Sequence, residues 1–364
     1  MLKGRIILLA AVTGTLFLAG ILAAQTQPQP PTTPWQFTVS GDSRNCGDVV
    51  MPAIAADVLK HRSSFYWHLG DFRATYTFDE DILHQPANIG HPPNIYEYLN
   101  TEWQDFLDNQ IAAFGDLPVY LGVGNHETIF PKTREEYITQ FADWLDTPTL
   151  RAQRLRDDPR DHRLHIYYHW REHNVDFINL DNASEEQFDA AQVAWFERVL
   201  ARDVADSSIA TIVVGMHEAL PDSISEAHSM SQSAAGVESG RRVYQDLLRA
   251  EKTGHKRIYI LASHSHFYMV NIFNTEYAKQ HGGVLPGWII GTAGAFRYSL
   301  PPNSNLASAA ETNVYGYLLA NVKFDGSIDF QFQKLQENSV PSAIVDRYKS
   351  EFIHWCWTQN SDAK

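Results

Sequence analysis

Cysteine is nearly absent: the 364-residue chain has two, Cys46 and Cys356. That excludes a fold built on a disulfide framework and a zinc centre built on thiolates. Basic residues are also scarce, 29 against 43 acidic, giving a net charge of −14. Such a surface repels a polyanion at long range, which disfavours a nucleic-acid scaffold. A small anionic substrate stays open where a local cation cluster or a metal offsets the field. No repeat of 20–50 residues is present, which disfavours a solenoid or propeller. What is there, 44% apolar residues with 12% aromatic, suffices to bury a core.

The first residues carry an export pattern. Lys3 and Arg5 precede an uncharged run, Ile6 to Ala24. The run is longer than the roughly 7–15 apolar residues of a cleaved signal and close to the roughly 20 that span a bilayer. Cleavage after Ala24 would put Leu22 at the −3 position, a poor site, and no cysteine follows to take a lipid. Residues 1–24 therefore read as a signal peptide or an uncleaved N-terminal anchor, with a misread buried helix as the bland alternative. Either leading reading exports the body to a periplasmic or extracellular space, with membrane attachment through residues 6–24 in the anchored case. Residues 25–34 read as an extended Pro-rich linker. Residues 35–364 read as one domain.

Within that domain, apolar runs of strand length alternate with helix-length patterns. Strands are expected at about 35–40, 64–69, 119–123, 165–168, 175–180, 209–214, 257–261 and 287–290. Two more, 317–324 and 327–332, flank Asp325-Gly326, a hairpin signal. Helices are expected at about 49–61, 96–114, 134–145, 186–202 and 239–251. Early alternation with a late hairpin predicts an α/β fold with a mixed sheet or two packed sheets. Residues 72–117 form a long excursion, either a lid or a surface insertion.

Five of the apolar runs end alike. They lead into Gly41-Asp42-Ser43-Arg44, Gly70-Asp71, Gly124-Asn125-His126-Glu127, Gly215-Met216-His217 and Ala262-Ser263-His264-Ser265-His266. Ligands of open α/β sheets bind beyond the carboxyl ends of strands, so these residues should converge on one rim. Two carboxylates, an amide oxygen and several imidazoles, without a thiol, suit divalent zinc, manganese or iron. Two ions bridged by one carboxylate can clamp a phosphoryl group and ionise a water. Singly, each motif is weak; all five, each after a strand and in this order, are not.

The chain resembles the calcineurin-like metallophosphoesterase superfamily, closest in style to its purple-acid-phosphatase-like branch, over about residues 36–333. The resemblance implies a four-layer α/β/β/α sandwich of two mixed sheets, with a two-metal site between them holding manganese, iron or zinc. It implies that Asp71 bridges the ions, that Asp42 and His266 hold the first, and that Asn125, His217 and His264 hold the second. His126 resembles the residue that contacts the scissile phosphate and protonates the leaving oxygen. The implied reaction is hydrolysis of a small phosphate ester by a metal-bound hydroxide. A phosphodiesterase or nucleotidase, and a non-catalytic metal- or phosphate-binding envelope protein, are the alternatives, and no protein partner is expected.

Two departures stand out. The family's first motif commonly has a histidine two residues after the aspartate; here that place is Arg44, which has no lone pair for a metal. Arg44 can instead bind substrate phosphate as a bidentate donor, with a surface or remote ion pair as the bland reading. A tyrosine ligand three residues after the bridging aspartate is also missing, since that place is Ala74 and Tyr76 lies two further on. His162, His165, His169 and His173 fall on an expected hairpin and read as structural or exposed. Glu127 reads as a residue that orients its neighbours. The aromatic segment 352–357 is too apolar for a free tail. It is expected to pack beside the first motif, pairing Cys46 with Cys356; two separate thiols are the alternative.

Overall fold

The computed structural model describes residues 34–183 and 187–362. The expected leader at 1–24 and nearly all of the linker at 25–34 lie outside the described residues. Among the described residues no helix is long and apolar enough to cross a membrane. Twelve strands are described: β1 (Trp35–Ser40), β2 (Tyr66–His68), β3 (Val119–Leu121), β4 (Tyr168–Glu172), β5 (Val175–Asn179), β6 (Thr211–Gly215), β7 (Arg257–Ala262), β8 (Tyr268–Val270), β9 (Gly287–Ile290), β10 (Ala309–Glu311), β11 (Gly316–Val322) and β12 (Ile328–Lys334).

They form two mixed sheets, in the orders β12-β11-β1-β2-β3 and β10-β8-β9-β7-β6-β5-β4. Strands β1, β2 and β3 run parallel, as do β5, β6, β7 and β9. Period-two alternation explains how the sheets stack. In β5, Val175 and Phe177 face one core cluster while Ile178 faces the other; β6 divides the same way, with Val213 against Ile212 and Val214. The first cluster fills the space between the sheets and continues around the smaller sheet to helix Gly47–His61. Between the sheets, Phe37 of β1 meets Phe177 with ring centroids 4.9 Å apart, and Trp170 of β4 lies 5.1 Å from Phe177. The second cluster packs the outer face of the larger sheet against helices Ala190–Ala205 and Ala234–Lys252 through Phe196, Val199, Val243 and Leu247. On the smaller sheet, helix Gly47–His61 lies over Tyr66 and Tyr317, whose hydroxyls reach Met51 Sδ and Asp57. The result is the expected α/β/β/α sandwich.

Local expectations shifted where tertiary pairing decided. The strand expected at 165–168 runs Tyr168–Glu172 instead, because its antiparallel register with β5 pairs Tyr168 with Asn179 and Glu172 with Val175. The helix expected from 186 begins at Ala190, where the Asp189 carboxylate accepts from Gln192 N–H at 2.7 Å. Both ends of residues 72–117 are anchored in the domain. Phe72 stacks on Phe106 at 4.1 Å, and Arg73 is buried among Asp48, Asp81 and Asp105. Of the histidine run, His169 is buried with Nδ1 2.8 Å from Asp176 and Nε2 2.5 Å from Asp157. Burial disfavours its charge, but the two carboxylates outweigh that and raise it to about 10, so it serves an ion-paired structural role.

The C-terminal helix Ser350–Thr358 packs back onto the domain, and Cys46 and Cys356 form a disulfide with Cα atoms 6.0 Å apart across 310 residues of sequence. Closing so long a loop stabilises by up to about 5 kcal/mol in the chain-entropy model. Cys356→Ser should therefore lower Tm by several degrees in scanning calorimetry. An unchanged Tm would show that the bond contributes nothing to stability.

Candidate metal and phosphate site

The five motifs lie at the carboxyl ends of β1, β2, β3, β6 and β7. The turns that carry them are tight. Asp42, Asp71 and His264 hold left-handed backbone, with φ of 62°, 61° and 62°. Non-glycine residues rarely adopt this conformation, and it persists where the surroundings fix it. The fixing bonds are explicit: Asp42 N–H donates to Gly70 O at 3.0 Å and Ser43 N–H to Asp71 O at 2.9 Å. His264 N–H donates to Asp42 Oδ2 at 2.7 Å. Gly124 is required by close approach, since a Cβ there would lie 2.2 Å from Asp71 Oδ1.

Glu127 fastens two of these turns together. Its carboxylate accepts from Asp71 N–H and Phe72 N–H at 2.8 Å each and from Gly124 N–H at 2.7 Å. This agrees with its reading as an orienting residue. Burial, reinforced by the Asp71 charge, pushes its carboxyl up to about 8.

The side chains then converge. His217 Nε2 lies 3.0 Å from both Asn125 Oδ1 and His264 Nδ1, and 3.3 Å from Asp71 Oδ1. Asp42 Oδ1 lies 3.2 Å from His266 Nε2. His126 Nε2 lies 3.8 Å from Asp71 Oδ2. Arg44 reaches across, with Nε 3.7 Å from Asp71 Oδ2 and Nη2 3.4 Å from His266 Nε2, and its Nη1 also contacts the His126 ring. All eight sequence-identified residues thus meet in one cleft.

The chemistry of the donors fits a cation. Asp42 Oδ1 and Asp71 Oδ2 are buried and accept no hydrogen bond, a costly state that a metal relieves. Three imidazoles have Nδ1 against a backbone carbonyl: His217 on Leu69 O at 3.0 Å, His266 on Phe296 O at 2.6 Å and His126 on Ala74 O at 2.7 Å. Such bonds place the proton on Nδ1 and leave the Nε2 lone pair facing the cleft, as metal ligation requires. The donors fall into two groups sharing Asp71: Asp71, His217 and His264, and Asp42, Asp71 and His266. Without a cation, burial opposes charge on His217 but Asp71 beside it raises it to about 10, so a metal would take the place of an Nε2 proton there. Burial likewise opposes ionisation of Asp71, yet His217, His126 and Arg44 hold its carboxyl well below the usual range. Burial pushes His126 down, against the pull of Asp71, and the Arg44 charge adds to the lowering.

Three aromatic rings at the cleft carry no motif and escaped sequence reasoning as site residues. Tyr298 stacks on His266 at 4.1 Å, and His228 stacks on Tyr298 at 5.0 Å. Tyr76, 59% exposed, stacks on His126 at 5.2 Å. The one available signal was proximity in sequence: Tyr298 follows the Gly291–Gly294 turn by four residues, and Tyr76 follows Asp71 by five.

A two-sheet sandwich with carboxylates, an amide and imidazoles gathered at its strand ends is the frame of a metal-assisted hydrolase. Residues 50–268 match the family model described as calcineurin-like phosphoesterase. The chain belongs to this family. Asp42 and Arg44 precede the matched span. No curated protein matches the chain significantly. Among solved structures, purple acid phosphatase PPD1 from yellow lupin (Lupinus luteus) aligns with a TM-score of 0.56 at 15% identity, over 84% of this chain and 52% of the lupin chain. This chain thus spans about half the length of that protein. PhoD aligns at 0.54 and 14% identity, over 90% of this chain and 78% of its own. A dimetal phosphatase from Danio rerio aligns at 0.51 and 11% identity, over 83% and 97%. At these identities the likeness is one of fold.

Proposed function

We propose that this protein hydrolyses a small phosphate ester with metal held by Asp42, Asp71, Asn125, His217, His264 and His266. The observation that carries this reading is the buried Asp71 carboxylate standing between two donor groups, with one oxygen unsatisfied. The family's binuclear centre would place an ion in each group. Bound metal would supply Lewis acidity toward a phosphoryl oxygen and lower the pKa of water. The protein supplies the rest. Carbonyl-anchored Nδ1 atoms keep His217 and His266 in one tautomer and aim their Nε2 atoms inward. Arg44 has N–H donors for the phosphoryl oxygens. His126 Nε2 stands beside Asp71 and Arg44, within reach of a phosphate bound there; the phosphate's negative charge would favour the imidazolium, whose Nε2 proton could then go to the leaving oxygen.

The test is turnover of a panel of mono- and diesters by metal-stripped protein reconstituted with manganese, zinc or iron. Turnover that returns with metal supports the proposal, and the preferred ester separates monoesterase from phosphodiesterase or nucleotidase. Ion binding without turnover on any ester would leave the non-catalytic alternative. We also propose that the protein works outside the cytoplasm, a reading supported by its disulfide, which persists in oxidising compartments.

A further inference from the structure

Arg44 touches the shared Asp71 and, beyond it, a donor of one group only, His266. Its Nη2 is 3.4 Å from His266 Nε2, and its Nε is 3.7 Å from Asp71 Oδ2. Its side chain is 11% exposed, so the charge sits inside the cleft. The donors that belong to the other group alone are Asn125, His217 and His264, with His217 Nε2 3.0 Å from both His264 Nδ1 and Asn125 Oδ1; among the described residues no lysine or arginine side chain contacts these three. The two groups are therefore unequal. Yet the guanidinium does not close its pocket: Asp42 Oδ1 and Asp71 Oδ2 still lack hydrogen bonds.

We propose that Arg44 competes with the ion of the Asp42–Asp71–His266 group, so that this ion binds weakly and exchangeably while the Asn125–His217–His264 ion binds tightly. The proposal rests on the metal-dependent reading above. The physical reason is that one set of electron pairs faces two cations. A guanidinium with Nη2 3.4 Å from His266 Nε2 and Nε 3.7 Å from Asp71 Oδ2 stands close to where a metal on both atoms would sit, and the two positive charges repel in a buried site. Arg44 has somewhere to turn. Phosphate offers the bidentate oxygen pair that a guanidinium fork matches. An anion that draws Arg44 outward frees the pocket, so phosphate and the weak ion help each other bind. By linkage the help is reciprocal.

The experiment is a manganese titration of the metal-stripped full chain, with free ion read by electron paramagnetic resonance and bound ion by elemental analysis. Neither readout requires turnover. The wild type should show one tight and one weak equivalent. Arg44→Ala should tighten the weak one by about tenfold or more, within the usual range of coupling between sites, and leave the tight one unchanged. Arg44→Lys, which keeps the charge, should stay closer to wild type. Inorganic phosphate should tighten the weak equivalent in the wild type and have less effect in Arg44→Ala. Two equal sites in the wild type would overturn the proposal while leaving the hydrolase reading intact, and this measurement needs no variant to fold. A weak site indifferent to Arg44→Ala would also overturn it. Binding of no ion at all would overturn the metal-dependent reading together with the proposal.

Discussion

Asp71→Asn is expected to strip the protein of metal and abolish turnover. The side chain keeps its size, so the substitution tests charge. Asp71 belongs to both donor groups, and its two oxygens face different partners: Oδ1 faces His217 at 3.3 Å, and Oδ2 faces Arg44 at 3.7 Å and His126 at 3.8 Å. A neutral amide cannot serve two cations as a carboxylate does. Lewis-acid stabilisation is worth several kcal/mol in a transition state, so its loss should cost on the order of a thousandfold or more in rate. Elemental analysis and kcat are the measurements, with a circular dichroism melt to show that the variant folds. Full metal occupancy in folded Asp71→Asn would remove Asp71 from its shared role.

His126→Ala should give the second large loss, roughly 10²–10⁴ in kcat, the usual worth of a positioned acid. Its distinguishing mark is dependence on the leaving group. An alkyl phosphate needs a proton on its departing oxygen, whereas a nitrophenolate leaves without one. The deficit should therefore be large for the first and small for the second, with metal content nearly intact. Equal deficits on both esters would make His126 a phosphate contact rather than an acid.

These residues were legible because the chemistry sits at the ends of buried parallel strands, where apolar runs stop at a glycine. Trp35–Ser40 followed by Gly41-Asp42 announces a strand and its turn, and the function becomes legible once all five such ends are taken together. Long, strongly patterned elements were legible too, although the helix Ala190–Ala205 begins later than its apolar face suggested, at the residue its cap selects. Very short strands were not. Tyr268–Val270 and Ala309–Glu311 have three residues each, too few for a period, and exist through pairing, the first with both β9 and Ala309–Glu311. The helix Pro148–Asp157 was missed because its exposed polar face dominates its composition. Tyr298 joins the site through tertiary placement alone. The aromatic tail was legible from its hydropathy, because a free end rich in tryptophan and phenylalanine would expose apolar surface to water.

That segment also braces the site from behind. Arg297 is clamped by the carbonyls of Cys356, Trp357 and Asn360 at 2.9, 3.0 and 3.1 Å, and its neighbour Tyr298 stacks on His266. Asn360 donates to Gly294 O at 3.1 Å and accepts from Asn45 at 3.2 Å, three residues past Asp42. Strand β1 itself has no antiparallel neighbour until β11 has been made. Domains form as the chain emerges, N-terminal parts first. Here the first motif is held by residues that follow it by some 310 positions. A chain cut before that segment would carry every donor of the cleft and lack the contacts that set the first of them.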